Sequence, residues 1–126
     1  MNSHSEAPKK SKSDERIERM TFASVYPHYV QKVEKKGRTE EELRAVICWL
    51  TGFSNSDIDS TISGGLTFHD LFESAQLHPN ANQISGSICG YKVQEIQNPL
   101  TRKVRMMDKL VDELAKGKPL NKILRS

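Results

Sequence analysis

The sequence predicts an all-α fold, a compact single-domain bundle of about six or seven short helices with one long C-terminal helix. Three observations carry this expectation. Helix-start signals recur, each a Ser or Thr followed three residues later by an acid: Thr39-x-x-Glu42, Ser54-x-x-Asp57 and Thr67-x-x-Asp70. Apolar residues recur at steps of three and four, the period of a helix face. Runs of β-forming residues are few, and none has an evident second strand to pair with.

The elements follow in chain order. Residues 1–15 are Ser, Lys, Pro and acid with almost nothing apolar, and read as a disordered tail. Residues 16–126 then form a single helical domain, with Ile17 and Met20 as first anchors. Ser24 is the expected cap of the first clear helix, with Pro27 in its first turn. Tyr26, Tyr29, Val30 and Val33 supply its apolar stripe, and His28 is expected to be partly buried among the tyrosines. Lys35, Lys36 and Gly37 close it. Thr39 opens a second helix carrying Leu43, Val46, Ile47, Trp49 and Leu50, stopped at Gly52. Ser54 caps a short third helix with Ile58 and Ile62, and Thr67 a fourth with Phe68, Leu71 and Phe72. After the break at His78-Pro79, Ile84 to Val93 reads as a helix or helical turn, with a short strand as its rival.

Asn98 to Gly117 is the best-signalled stretch. Asn98 is a good N-cap, and Pro99 suits the first helical position, where its missing N–H costs nothing. Leu100, Val104, Met107, Val111 and Leu114 share one face, widened by Met106 and Leu110. Such a wide arc suits packing against several partners. Lys103 falls inside it, with its stem expected to pack and its ammonium to reach water. Arg102, Arg105, Lys109, Asp112, Glu113 and Lys116 lie opposite, as an expected solvated face. Gly117 and Pro119 end the helix, and a last short one carries Leu120, Ile123 and Leu124.

Composition excludes several function classes. No apolar stretch approaches the roughly 18 residues of a membrane span, and no secretory leader pattern is present. Cys48 and Cys89 lie far apart in apolar contexts and read as reduced core thiols of a cytoplasmic protein. The net charge of +3 is small but segregated: residues 39–97 carry two basic and eight acidic side chains, and residues 98–126 carry eight and three. Either the last long helix lies against acidic helices, or it offers a basic surface to an anionic partner.

No catalytic, metal or cofactor constellation emerges. His69 and Glu73 stand four apart on one helix face, but a third ligand must come from elsewhere, and His78 is the nearest candidate. Gly86-x-x-x-Gly90 lacks the Lys and Ser/Thr of a phosphate-cradling loop. Glu42 to Ile62 has helix-turn-helix spacing, but its second helix carries two aspartates and no base-reading cation. Asp108 and Asp112 are a carboxylate pair neutralised by Arg105 and Lys116 at helical spacing.

Three stretches, TFASVYPHYVQKVEKKGRTEEEL, WLTGF and ISGSICGYKVQEIQNPLTRKVRMMDKLVDELAKGKPLNKILR, closely resemble the bacterial family known as domain of unknown function 2200. The resemblance spans roughly residues 16–125, leaving the polar tail outside. It implies a small, mostly or wholly helical cytosolic protein. It implies no activity and carries no site residue across. The functional expectation is therefore a non-enzymatic helical module that binds another protein or a second copy of itself. One alternative is nucleic-acid binding through a basic C-terminal face centred on Arg102, Arg105, Lys109 and Lys116. The other is a small-molecule site or enzyme, which requires a concave pocket with converging polar groups.

Overall fold

A computed structural model describes residues 10–125 of the chain. Its elements run α1 (Lys12–Arg19), α2 (Phe22–Glu34), α3 (Glu40–Thr51), α4 (Asn55–Ser63), α5 (Phe68–Ser74), β1 (Ser87–Ile88), β2 (Tyr91–Lys92), α6 (Pro99–Ala115) and α7 (Leu120–Ile123). The fold is all-α apart from the two-residue strands, as the capping signals predict. Among the described residues no helix is long and apolar enough to cross a membrane.

The long helix α6 is the axle. It packs against α1, α2, α3, α5, α7 and the hairpin. Val104, Met106, Met107, Leu110, Val111 and Leu114 are all buried along it. Around them close Phe22 and Val33 of α2, Leu43, Ile47 and Leu50 of α3, and Phe68 and Leu71 of α5. Phe22 meets Phe68 edge-on at 5.9 Å between ring centroids, a favoured aromatic geometry. The start signals at Thr39, Ser54, Thr67 and Asn98 all act as N-caps, and Pro99 occupies the first turn of α6.

Several local expectations are corrected. Helix α2 is capped by Thr21, not Ser24; the Thr21 side chain accepts the Ser24 N–H. The choice is tertiary. Thr21 bridges to Thr67, the cap of α5: Phe22 N–H donates to the Leu66 carbonyl and Phe68 N–H to that of Met20, both at 2.9 Å. Pro27 therefore lies inside α2 but on its exposed side, where water can serve the carbonyl that loses its helical donor. His28 is exposed rather than partly buried, because Tyr26 and Tyr29 take the inward positions.

The folded region begins earlier than residue 16. Ser11 and Asp14 form a reciprocal capping box that starts α1 at Lys12. Asp14 also accepts a 2.6 Å hydrogen bond from Thr101 Oγ1 of α6, which ties the first helix to the axle. The rest of the expected tail, residues 1–9, lies outside the described residues.

The preferred helix at Ile84–Val93 is instead a hairpin. Ser87 pairs with Lys92 and Ile88 with Tyr91. The connecting residues, Cys89 and Gly90, both have positive φ, 52° and 83°. That pair of angles defines the two-residue turn whose twist suits a hairpin. Both strands lie within the one run that seemed to lack a partner. Cys89, expected in the core, is exposed at the tip.

Candidate functional site

The basic face of α6 turns inward onto the segment that precedes the helix. Arg102 Nη2 donates to the Gln94 carbonyl at 3.1 Å, and Lys109 Nζ to the Ser87 carbonyl at 3.1 Å. Arg105 Nη1 donates to Asp108 Oδ2 at 3.0 Å and reaches Cys89 Sγ at 3.5 Å. The Lys109 stem crosses so close to Gly86 that an added Cβ would sit 3.1 Å from its Cε. Gly86 also has φ of 107°, so Gly86→Ala is expected to cost about 1 to 3 kcal/mol. Chemical denaturation checks this; an unchanged midpoint would mean that hairpin and helix are not seated as described.

Lys116, the fourth residue of that face, lies apart. It is exposed and pairs with Asp112 at 3.0 Å. Asp112 and Glu113, expected on a solvated face, are buried instead. Burial alone would raise the Asp112 pKa, but hydrogen bonds from Lys116 and Lys32 outweigh it and hold the carboxyl below its ordinary value. Glu113 receives two hydrogen bonds from Arg125, at 2.9 and 2.7 Å. Arg38 closes the same end of α6, donating to the carbonyls of Leu114 at 3.1 Å and Lys118 at 2.9 Å. The charged side of α6 is thus largely engaged by groups of its own chain. A helical projection cannot show this, because the covering groups come from distant parts of the chain.

Holding the hairpin in this way opens a cleft of about 810 Å³ between it, the N-terminal end of α1 and the start of α6. Its walls include Asp14, Tyr91, Lys92, Glu95, Ile96 and Arg105. Tyr91 borders the cleft and is 54% exposed. A second cavity of about 290 Å³ lies behind α1, lined by Ile17, Met20, Phe68 and Val104 with Tyr29 and Asp108. Ser13 and Arg105 border both spaces. The larger volume falls in the range of small-molecule pockets, roughly 300–1,000 Å³.

Arg105 is held from behind. Tyr29 donates to Asp108 Oδ1 at 2.5 Å, and Asp108 presents its other oxygen to Arg105. Burial, reinforced by the Asp108 charge, pushes Tyr29 ionisation well above the ordinary range, so its hydroxyl stays a donor. Arg105 Nε is buried with no hydrogen-bond partner, an arrangement that typically costs about 1 to 3 kcal/mol.

The other residues singled out by sequence go elsewhere. His69 Nδ1 lies 3.4 Å from its neighbour Asp70, and His78 stacks on Trp49 at 4.1 Å while accepting the Asn80 N–H. Among the described residues no three His, Cys, Asp or Glu side chains gather as metal ligands. Cys48 and Cys89 are both free thiols, and burial pushes the Cys48 thiol up. Asp14, Tyr91, Lys92 and Glu95 were missed as site residues. The one local signal for Tyr91 and Lys92 is the Cys89-Gly90 turn, which marks them as a short exposed strand.

These features define an all-α protein built around one long helix, with a ligand-sized cleft where a hairpin crosses its basic face. The chain belongs to the bacterial family described as "Uncharacterized protein conserved in bacteria (DUF2200)", whose model matches residues 16–125. It is also similar to a solved structure, that of "uncharacterized protein SP1917", at 40% identity and a TM-score of 0.82. That likeness covers 87% of this chain and 91% of the other. No curated protein matches the chain.

Proposed function

We propose that this protein is a non-enzymatic small-molecule-binding module, with its ligand in the cleft between α1, the hairpin and the start of α6. The observation that carries this reading is the cleft itself, a space of about 810 Å³ that an exposed tyrosine and Arg105 both line. The macromolecule-binding module expected from sequence rested on the absence of a reactive constellation and on the segregated charge; the cleft favours a small ligand instead. Arg102, Arg105 and Lys109 engage groups of their own chain, which also weakens the case for a nucleic-acid surface. A cytoplasmic setting belongs to the same proposal, supported by the free thiols Cys48 and Cys89.

A fragment screen by saturation-transfer NMR tests it. Wild-type protein is expected to give hits at millimolar ligand. Ser13→Trp places an indole where the two cavities meet and is expected to abolish those hits while leaving the thermal midpoint nearly unchanged. An empty screen on wild type, or hits that survive Ser13→Trp, would contradict the reading.

A further inference from the structure

We infer that α1 is a lid: it unfolds and lifts from a hinge at Met20 while the rest of the fold stays intact, and so joins the cleft to the cavity behind it. The motion is a property of the fold; its use in regulating ligand access rests on the binding role proposed for the cleft.

The attachment of α1 is slight. It buries one side chain, Ile17, where α2 buries four and α3 five. Among the described residues its one side-chain hydrogen bond to another element is that of Asp14 Oδ1, which accepts from Thr101 Oγ1 at 2.6 Å. The ion pair of Glu18 with Lys10 lies within the same segment. These two attachments, Ile17 and Asp14, must offset the entropy of ordering an eight-residue helix. A helix that short is marginal in water by itself, so undocking and unfolding are one event. Segments with few buried apolar contacts are the ones that open first.

The hinge is fixed by the backbone. Directly after α1 the Met20 carbonyl accepts the Phe68 N–H, and the Phe22 N–H donates to the Leu66 carbonyl, both at 2.9 Å. Opening therefore stops at Met20. Ser13 lines both the cleft and the cavity behind α1. Carrying Ser13 away removes a wall that the two spaces share. Phe68 and Val104, buried while α1 is down, then form an apolar floor of one longer chamber.

Native-state hydrogen exchange on the full chain, read by 1H–15N NMR, tests the lid. The Glu15–Met20 amides are expected to be protected together, but about tenfold or more weakly than those of Phe22, Phe68 and Leu110. Urea below the unfolding transition should barely change the first group and speed Leu110 steeply, because opening one short helix exposes little surface. Ile47→Val in α3 should speed Leu110 about threefold or more and leave Glu15–Met20 unchanged. Ile17→Asn should strip protection from α1 while Phe22, Phe68 and Leu110 stay protected. Indole, as a flat apolar probe, should then shift the Phe68 and Val104 amides at about tenfold lower concentration than in wild type, because the competent state is more populated. Exchange of α1 in step with Leu110, in urea or in Ile47→Val, overturns the lid. An Ile17→Asn chain that is unfolded throughout does the same, as does wild-type α1 with no protection at all. Equal indole affinity of the two proteins overturns the access role alone. An empty fragment screen with α1 exchanging as expected removes the binding role and the access role, and leaves the lid standing.

Discussion

Asp108→Ala is expected to lower folding stability by about 3 kcal/mol, the low end of the range for breaking a buried charge pair by removing one partner. The substitution strands two groups at once. Arg105 keeps its charge against the hairpin without its carboxylate, and the buried Tyr29 hydroxyl loses its acceptor. The low end applies because Asp108 and Arg105 retain some water, with side chains 18% and 19% exposed. Tyr29→Phe separates the contributions. It removes the hydroxyl but leaves the ion pair, and should cost only about 1 kcal/mol. In the Tyr29→Phe background, Asp108→Ala should then cost less than in wild type, since residues in one hydrogen-bonded chain are not additive. Urea denaturation of the four proteins measures this. A single Asp108→Ala within about 0.5 kcal/mol of wild type, the range of an ordinary surface substitution, would show that the chain is not structural.

Arg38→Ala should have the next largest effect, roughly 2 kcal/mol, within the range for hydrogen bonds to a charged group. Arg38 joins three parts of the chain. It caps the carbonyls of Leu114 and Lys118 at the end of α6, and it grips Glu42 in the first turn of α3. The pH dependence identifies the Glu42 part. Hydrogen bonds from Arg38, then the Thr39 N–H, hold the Glu42 carboxyl at about 2, below its ordinary 4.5. A depressed carboxylate stabilises the fold above its unfolded pKa, and that contribution is lost as pH falls through the folded value. Wild-type stability should therefore fall between about pH 4.5 and pH 2, and in Arg38→Ala the same limb should be shallower. Equal slopes in the two proteins would remove Glu42 from the account.

How much of this was legible follows from where each interaction lies in sequence. The helices α3 to α6 begin at signals confined to four residues, so Thr39, Ser54, Thr67 and Asn98 could be read directly. The start of α2 could not, because Thr21 and Ser24 are both competent caps. The choice between them is made by a bridge to Thr67, far along the chain. The hairpin was missed because each strand is only two residues long, too short to show alternation. The apolar arc of α6 was visible in its periodicity. Burial of Asp112 and Glu113 was not, since Lys32 comes from α2 and Arg125 from the chain end. The candidate site was legible only in part. Arg105 stood on the predicted basic face, but its role depends on Tyr29, Cys89 and the cleft, which only the fold brings together.

The polar face of α6 holds the hairpin in place and thereby shapes the cleft proposed to bind a ligand. Amide shift mapping of 15N-labelled protein against the fragment hits tests it most directly. Perturbed amides are expected to cluster at Gly90–Lys92, Glu95–Gln97 and Thr101. Perturbations confined to the outer surfaces of α2, α3 and α4, or none at all, would contradict it.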